Sequence, residues 1–329
     1  MRTIGIDVSK ATLDVALRDE QGIALEKQVK NSPAALRALL RGWVKRGLCQ
    51  KSTLVCLEPT GHYSLGVIKT LLDMGQPTWM AHPNDIRLSI GMQRGKSDKV
   101  DARRIAEYAH RYSDKARLIT PAYLGFAELR SLLALRQRMI TQRSGHRVQL
   151  KDNALYQGKS IKTLVKDELE RQVKSLERSL KKLEAAIAAL IAADEVVQRK
   201  KALAQTVSGI GPVLASELVA HTEGFTRFTT PRQMVCYVGC APFERTSGSS
   251  VRGRTATSPC ANKRLKSLLR LAALAAVRTP GDLRDYYKRK IEQGKRPVVA
   301  LNNVAGKIIH HLWAVLASGK PYQSHLQVS

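Results

Sequence analysis

Four carboxylates of this sequence, those of Asp7, Glu58, Asp98 and Asp101, stand where chemistry could be done. Asp7 interrupts a glycine-flanked, otherwise apolar run, IGIDVS, and Glu58 closes another, LVCLEPTG. A carboxylate buried ionised and uncompensated costs on the order of several kcal/mol. Either one alone could be a satisfied hydrogen-bond acceptor. Asp98 and Asp101 lie three apart in RGKSDKVDARR, a spacing that puts both on one helical face. Arg87, Arg94, Lys96, Lys99, Arg103 and Arg104 surround them, so the same stretch also reads as a solvated, ion-paired face. Taken together, the four acids favour a metal site. Like charges in one place are tolerable only with cations among them. Hard oxygen ligands select Mg²⁺ or Mn²⁺. Two such ions can clamp the attacking and leaving oxygens of a phosphodiester, and the nearby bases suit its backbone.

The elements that must bring these acids together are legible. Residues 3–9 and 12–18 read as strands joined by a short turn at Lys10 and Ala11, with a third strand over 22–31. Ser32-Pro33 opens a helix with Leu36, Leu39, Leu40 and Val44 at helical spacing. Residues 52–61 make a buried strand ending at Glu58 and stopped by Pro59. A helix through SLGVIKTLLDMG and a strand PTWMAHP follow. The last helix begins near Ser97, whose hydroxyl suits an N-cap, and runs through DARRIAEYAHRY. A three-strand meander followed by strand–helix alternation is an α/β pattern that fits the ribonuclease H-like order. There the first strand, the fourth strand and the final helix converge at one end of the sheet, so the four acids would meet. Actin-like and sugar-kinase chains share the GIDVSK opening, but they duplicate the fold and carry glycine-rich phosphate hairpins in each half. The second half here holds no such copy.

Beyond residue 150 the pattern turns helical. Leu169, Val173, Leu176, Leu180, Leu183, Ile187 and Leu190 alternate by four and three, a heptad seam. Core packing within the chain is one reading and a protruding coiled coil that pairs protomers is the preferred one. Asp194 falls where the next apolar residue should be, so the seam ends there. Gly209-Ile210-Gly211-Pro212 leads into a helix and resembles the turn of a helix-hairpin-helix, although a packing turn needs glycines equally. From Glu244 to Arg296 there are 14 Lys and Arg against four acids, which favours a nucleic-acid surface. Within it, Ser247-Gly248-Ser249-Ser250 precedes Arg252-Gly253-Arg254 and a basic amphipathic helix. Such a loop can simply bind phosphate, or one of its serines can attack phosphorus when cations offset the developing charge. Spacing alone does not select which serine.

The whole composition agrees. Fifty-five Lys and Arg against 27 Asp and Glu give a formal charge of +28. Such a chain repels itself until a polyanion neutralises it, and nucleic acid is the expected one. No apolar run approaches the ~18 residues of a membrane span. MRTIGIDVSK has acid and glycine where a signal peptide needs an apolar stretch, so a cytoplasmic, nucleoid-associated protein is expected. Cys49, Cys56, Cys236, Cys240 and Cys260 form no disulfide or zinc framework and read as buried free thiols.

GIDVSK, LEPTGHY, KSDKVDARRIAEYA, SGIGPVLASELVA and YVGCAPFERTSGSSVRG, in this order and spanning nearly the whole chain, resemble the DEDD transposases of the insertion sequence 110 family, relatives of the Piv DNA invertases. The resemblance implies an α/β ribonuclease H-like (RuvC-like) domain over residues 1–150 with trailing helices. A helical coiled-coil segment (151–199) and a mainly α transposase domain (200–329) would follow. It implies that Asp7, Glu58, Asp98 and Asp101 form the acidic, Mg²⁺-binding quartet. By motif position Ser247 is the nucleophile that links covalently to cleaved DNA, with Ser249 the alternative if CAPFERT shifts the loop. In such enzymes the acids assist from a partner protomer. The resemblance further implies donor and target double-stranded DNA, a non-coding bridge RNA that pairs with both, and dimers assembling to a tetramer. Arg252 and Arg254 are expected DNA contacts because they lie close to Ser247 in the sequence. The expected activity is RNA-guided excision and insertion of the protein's own element. A Piv-like invertase and a RuvC-like nuclease using the acids alone are the rivals.

Overall fold

Ile4, Ile6 and Val8 alternate with Thr3, Gly5 and Asp7, and this parity splits the first strand, β1 (Thr3–Val8), between two environments. The computed structural model describes residues 1–45, 51–89, 91, 98–152, 158–247 and 251–323, with the backbone alone at 245–247, 251, 252, 254 and 255. The chain divides into two compact units, Met1–Leu124 and Gly125–Ser329.

In the first unit β1 pairs antiparallel with β2 (Thr12–Arg18), which pairs antiparallel with β3 (Ile23–Lys30). The helix α1 (Pro33–Lys45) leads to β4 (Leu54–Leu57), parallel to β1. After α2 (Tyr63–Asp73) comes β5 (Thr78–Met80), parallel to β4, and then α3 (Pro83–Ser89) and α4 (Asp98–Arg111). The sheet order β3-β2-β1-β4-β5 is the ribonuclease H-like arrangement expected from the sequence. On one face Ile4, Ile6 and Val8 pack with Leu36, Leu39, Leu40 and Trp43 of α1 and with Val67, Ile68 and Leu71 of α2. Trp43 rather than Val44 completes the α1 stripe, because positions 36, 39, 40 and 43 share one helical face and Val44 is left 38% exposed. All four residues of β4 are buried, as for a strand covered on both faces. The short α3 was not anticipated, and Ser97, the expected cap of α4, lies outside the described residues.

On the opposite face α4 rests directly on β1. A Cβ at Gly5 would stand 2.2 Å from the Ala102 carbonyl oxygen and 2.3 Å from the Ala106 nitrogen, so only glycine allows this approach. Ala16, opposite Gly5 in register, packs on Ala102 and Ala106. Thr3 Oγ1 donates to the Ala106 carbonyl at 2.9 Å, and Arg18 forms an ion pair with Glu107.

In the second unit α5 (Ala122–Asp152, counted here from its first turn) and α6 (Lys159–Ala192) run antiparallel, tied by Arg136–Glu184 at 2.7 Å and by Arg147–Glu177. The α6 seam buries Leu169, Val173, Leu180, Ile187 and Ile191. Its last member is Ile191 rather than Leu190, 37% exposed, because a straight helix drifts from a 3.5-residue repeat. Leu129 and Leu133 of α5 pack against Ile187 and Ile191, so this end of the seam is covered from within the chain. Asp194 ends the seam for a local reason: its side chain caps α7 (Glu195–Thr206) by accepting from the Val196 and Val197 N–H groups.

A helical bundle follows: α8 (Pro212–His221), α9 (Pro231–Tyr237), α10 (Lys263–Ala276), α11 (Asp282–Glu292) and α12 (Pro297–Ser318). Between α9 and α10 stands a hairpin of β6 (Pro242–Ser247) and β7 (Val251–Thr257). Leu214, Leu218, Leu265, Leu269, Val304, Ile308 and Leu312 are among the core residues of the bundle. Gly209, at φ +90°, is a packing turn: a Cβ there would meet the Ala272 carbonyl oxygen at 2.5 Å. Cys56 and Cys240 are buried thiols as expected, whereas Cys236 and Cys260 are exposed and Cys49 lies outside the described residues. Among the described residues no helix is long and apolar enough to cross a membrane.

Replacing Gly5 by alanine must push α4 off the sheet. Gly5→Ala is expected to lower stability by about 1–3 kcal/mol, the usual range for overpacking. Urea unfolding of the full chain checks it; an unchanged midpoint would mean that α4 does not sit on this glycine.

Candidate active site

Parity and register build the site. Asp7 is two residues beyond Gly5 and therefore shares the sheet face on which α4 lies. Across the sheet Asp7 is opposite Asp14 of β2, and Asp14 is opposite Gln28 of β3. The parallel register of β4 pairs Gly5 with Cys56 and Ile6 with Leu57. Continued by one residue, it brings Glu58, just past the strand end, beside Asp7. Four neighbouring strands thus contribute one transverse row: Gln28, Asp14, Asp7, Glu58. Asp98 and Asp101 occupy the first turn of α4, where the helix dipole partly offsets their charge.

The electrostatics show how near these groups are. Burial first, then the charges of Asp98, Asp101 and Asp14, push the Asp7 carboxyl up from 3.8 to about 6, against a lowering hydrogen bond from the Val8 backbone. Burial, then Asp7 and Asp101, also raise Glu58. Asp7 therefore senses Asp98 and Asp101, and Glu58 senses Asp7 and Asp101. They do not close on a single point. Among the described residues no three His, Cys, Asp or Glu side chains are grouped closely enough to hold a metal ion. Like charges repel, and Arg104 Nη1 draws Asp101 to itself at 2.9 Å. The donor set still fits a hard divalent cation, being carboxylate oxygens, and burial and neighbouring charge disfavour the ionised forms of two of them, Asp7 and Glu58.

The ion-paired reading of RGKSDKVDARR holds for part of the stretch. Arg104 pairs with Asp101 and Arg103 with Glu26, so these two arginines are engaged within the chain rather than free for a phosphate. Arg94 and Lys96 lie outside the described residues. Ser247 ends β6, paired with Val251 across the hairpin, and Arg252 is opposite Thr246. The backbone of Arg254 lies in the same β7, and Gly248, Ser249 and Ser250 lie outside the described residues. Sequence reasoning missed Asp14, although a lone acid in TLDVALR, one strand from Asp7, carried the signal.

A ribonuclease H-like sheet with acids at the ends of its first and fourth strands, facing a helix that starts with two more, defines a domain of the acidic-quartet class. Family comparison reaches the same place. A transposase family profile, DEDD_Tnp_IS110, matches residues 4–157, and a second, described as transposase IS116/IS110/IS902 family, matches residues 201–288. The chain belongs to this family of insertion-sequence transposases. It is 32% identical over 112 residues to the insertion element IS116 uncharacterized 44.8 kDa protein of Streptomyces clavuligerus. That match spans 34% of this chain and only 28% of the relative's length. The pilin gene-inverting protein of Moraxella bovis is 23% identical over 98% of both chains. The transposase for insertion sequence element IS1111A of Coxiella burnetii is 24% identical, covering 98% of this chain and 92% of that one. Among solved structures, Thermus thermophilus RuvC in complex with a Holliday junction substrate aligns with 36% of this chain and 99% of its own at TM-score 0.30 and 16% identity.

The raised Asp7 pKa sets a pH dependence. A carboxyl protonated more readily when folded favours the fold below its unfolded pKa, and that contribution is lost as pH rises from 3.8 through about 6. In EDTA, Asp7→Asn is therefore expected to melt higher than the parent above pH 6, with the difference vanishing near pH 4. Melting curves across that range check it; a difference independent of pH would place Asp7 in an unperturbed setting.

Proposed function

We propose that the protein is a DNA strand-transfer enzyme that moves its own insertion sequence, using Ser247 as nucleophile and the acidic quartet as a divalent-cation site. The observation that carries this is the coupled acid row on the α4 face, in a chain matched by transposase profiles in both its halves. The formal charge of +28 supports a nucleic-acid substrate, and the basic stretch around β7 supports its placement beside Ser247. The two profiles leave the helices between them as a separate segment, which supports the three-part division 1–150, 151–199 and 200–329.

Ser247 Oγ attacks the phosphorus of a DNA strand as its proton departs, the bond to the 3′ oxygen breaks, and the 5′ phosphate stays esterified to the serine. A free 3′-OH then attacks that ester, releases Ser247 and reseals the strand. The phosphoserine conserves the phosphodiester bond, so no nucleotide is consumed. Asp7, Glu58, Asp98 and Asp101 hold Mg²⁺ or Mn²⁺, which supplies neutralisation of charge at the phosphate. Arg252 and Arg254, on the strand facing Ser247, bind the DNA backbone. A bridge RNA supplies sequence recognition by base pairing, and the assembly is a tetramer of two dimers in which the acids serve a partner's serine. A second reading, site-specific inversion, is favoured by the full-length match to the pilin gene-inverting proteins.

Denaturing gels test the chemistry. Protein, flanking-element RNA, labelled donor and target DNA and Mg²⁺ are expected to yield a covalent adduct that Ser247→Ala abolishes. Loss of the adduct without RNA favours the transposase, and retention favours the invertase. Cleaved DNA without an adduct, unchanged by Ser247→Ala, would leave a nuclease that uses the acids alone.

A further inference from the structure

Asp14 is the member of the row that the quartet leaves out. It is 3% exposed and lies directly opposite Asp7. Its oxygens accept from Gln28 Nε2 at 3.0 and 3.2 Å. Among the described residues no Lys, Arg or His forms an ion pair with it. Glu26, two residues before Gln28 on the same strand face, is taken by Arg103 instead. The amide satisfies the geometry of Asp14 and, being neutral, brings no opposite charge to it.

The hydrogen bond to Gln28 does not require a charge at this position. An asparagine would fill the same volume and, with Gln28 turned over, keep a hydrogen bond. It would also remove the repulsion that Asp14 exerts on Asp7. A buried carboxylate clamped by a neutral donor beside a cation-binding acid has the placement of groups that tune a metal's ligands from behind. We infer that Asp14, fixed by Gln28, is a positioning residue of the acid row, whose negative charge raises the affinity of Asp7 and its neighbours for a divalent cation. The inference rests on the proposal that the quartet holds such a cation.

The two can be tested apart by measuring Mn²⁺ binding to the full chain by electron paramagnetic resonance, with melting curves in EDTA. Asp14→Asn is expected to weaken Mn²⁺ binding by about tenfold, the lower end for groups behind metal ligands. It is also expected to melt higher than the parent in EDTA, because a repulsion is gone. A purely structural Asp14 moves the second readout the other way. An Asp14→Asn chain that melts lower, fails to fold, or binds Mn²⁺ as tightly as the parent overturns the inference. Asp7→Asn is the control: loss of binding there with no effect at Asp14 rejects only the positioning role. A parent chain that binds no Mn²⁺ rejects the cation site and the inference together.

Discussion

Contact between the backbones of α4 and β1 at Gly5 is the constraint from which the candidate site follows. A helix axis normally stands off a sheet by the depth of two side-chain layers. Here Gly5 has no side chain, and Ala16, Ala102 and Ala106 have a single methyl each. The closeness brings the first turn of α4 within electrostatic reach of the sheet, so that Asp98 and Asp101 act on Asp7, and Asp101 also on Glu58. Larger residues at these four places would preserve the topology and separate the acids.

The chain's charges are organised in opposite senses. The chain as a whole carries a large positive excess, while the α4 face of the sheet gathers carboxylates that raise the pKa of Asp7. The border is made of ion pairs, Arg103 with Glu26 and Arg104 with Asp101. The more exposed pair, Arg103 with Glu26, is of a kind that contributes ~0–1 kcal/mol, whereas Arg104 and Asp101 are partly buried. Buried groups such as Glu217, held by Arg264 Nε at 2.9 Å, tie α8 to α10 and belong to the fold instead.

The first domain was legible because strand parity, helical phase and turn residues all agreed. β1, β2, β3, α1 and α4 fall where local pattern puts them. What escaped needed information from elsewhere in the chain. Trp43 replaced Val44 by one step of helical phase, and Ile191 replaced Leu190 by accumulated drift. Gly209 read equally as a phosphate turn or a packing turn, and the closeness of α10 shows the packing. The β6–β7 hairpin was hidden because small and polar residues on both sides of SGSS carry little hydrophobic alternation. Asp14 was passed over for a different reason: its partners, Asp7 and Gln28, lie on other strands, and only register joins them.

That hairpin also constrains how the sequence can drift. Ser247 sits in a two-stranded ladder, paired with Val251, and the register already shifts between Phe243 and Arg245. In a ladder, consecutive residues face opposite sides, so inserting or deleting one residue of β6 reverses every position after it. Pairs of residues can come and go while Ser247 keeps its side. Among descendants of this gene, length changes in β6 should therefore survive in even steps or be matched by a second bulge, a parity rule readable from genomes alone.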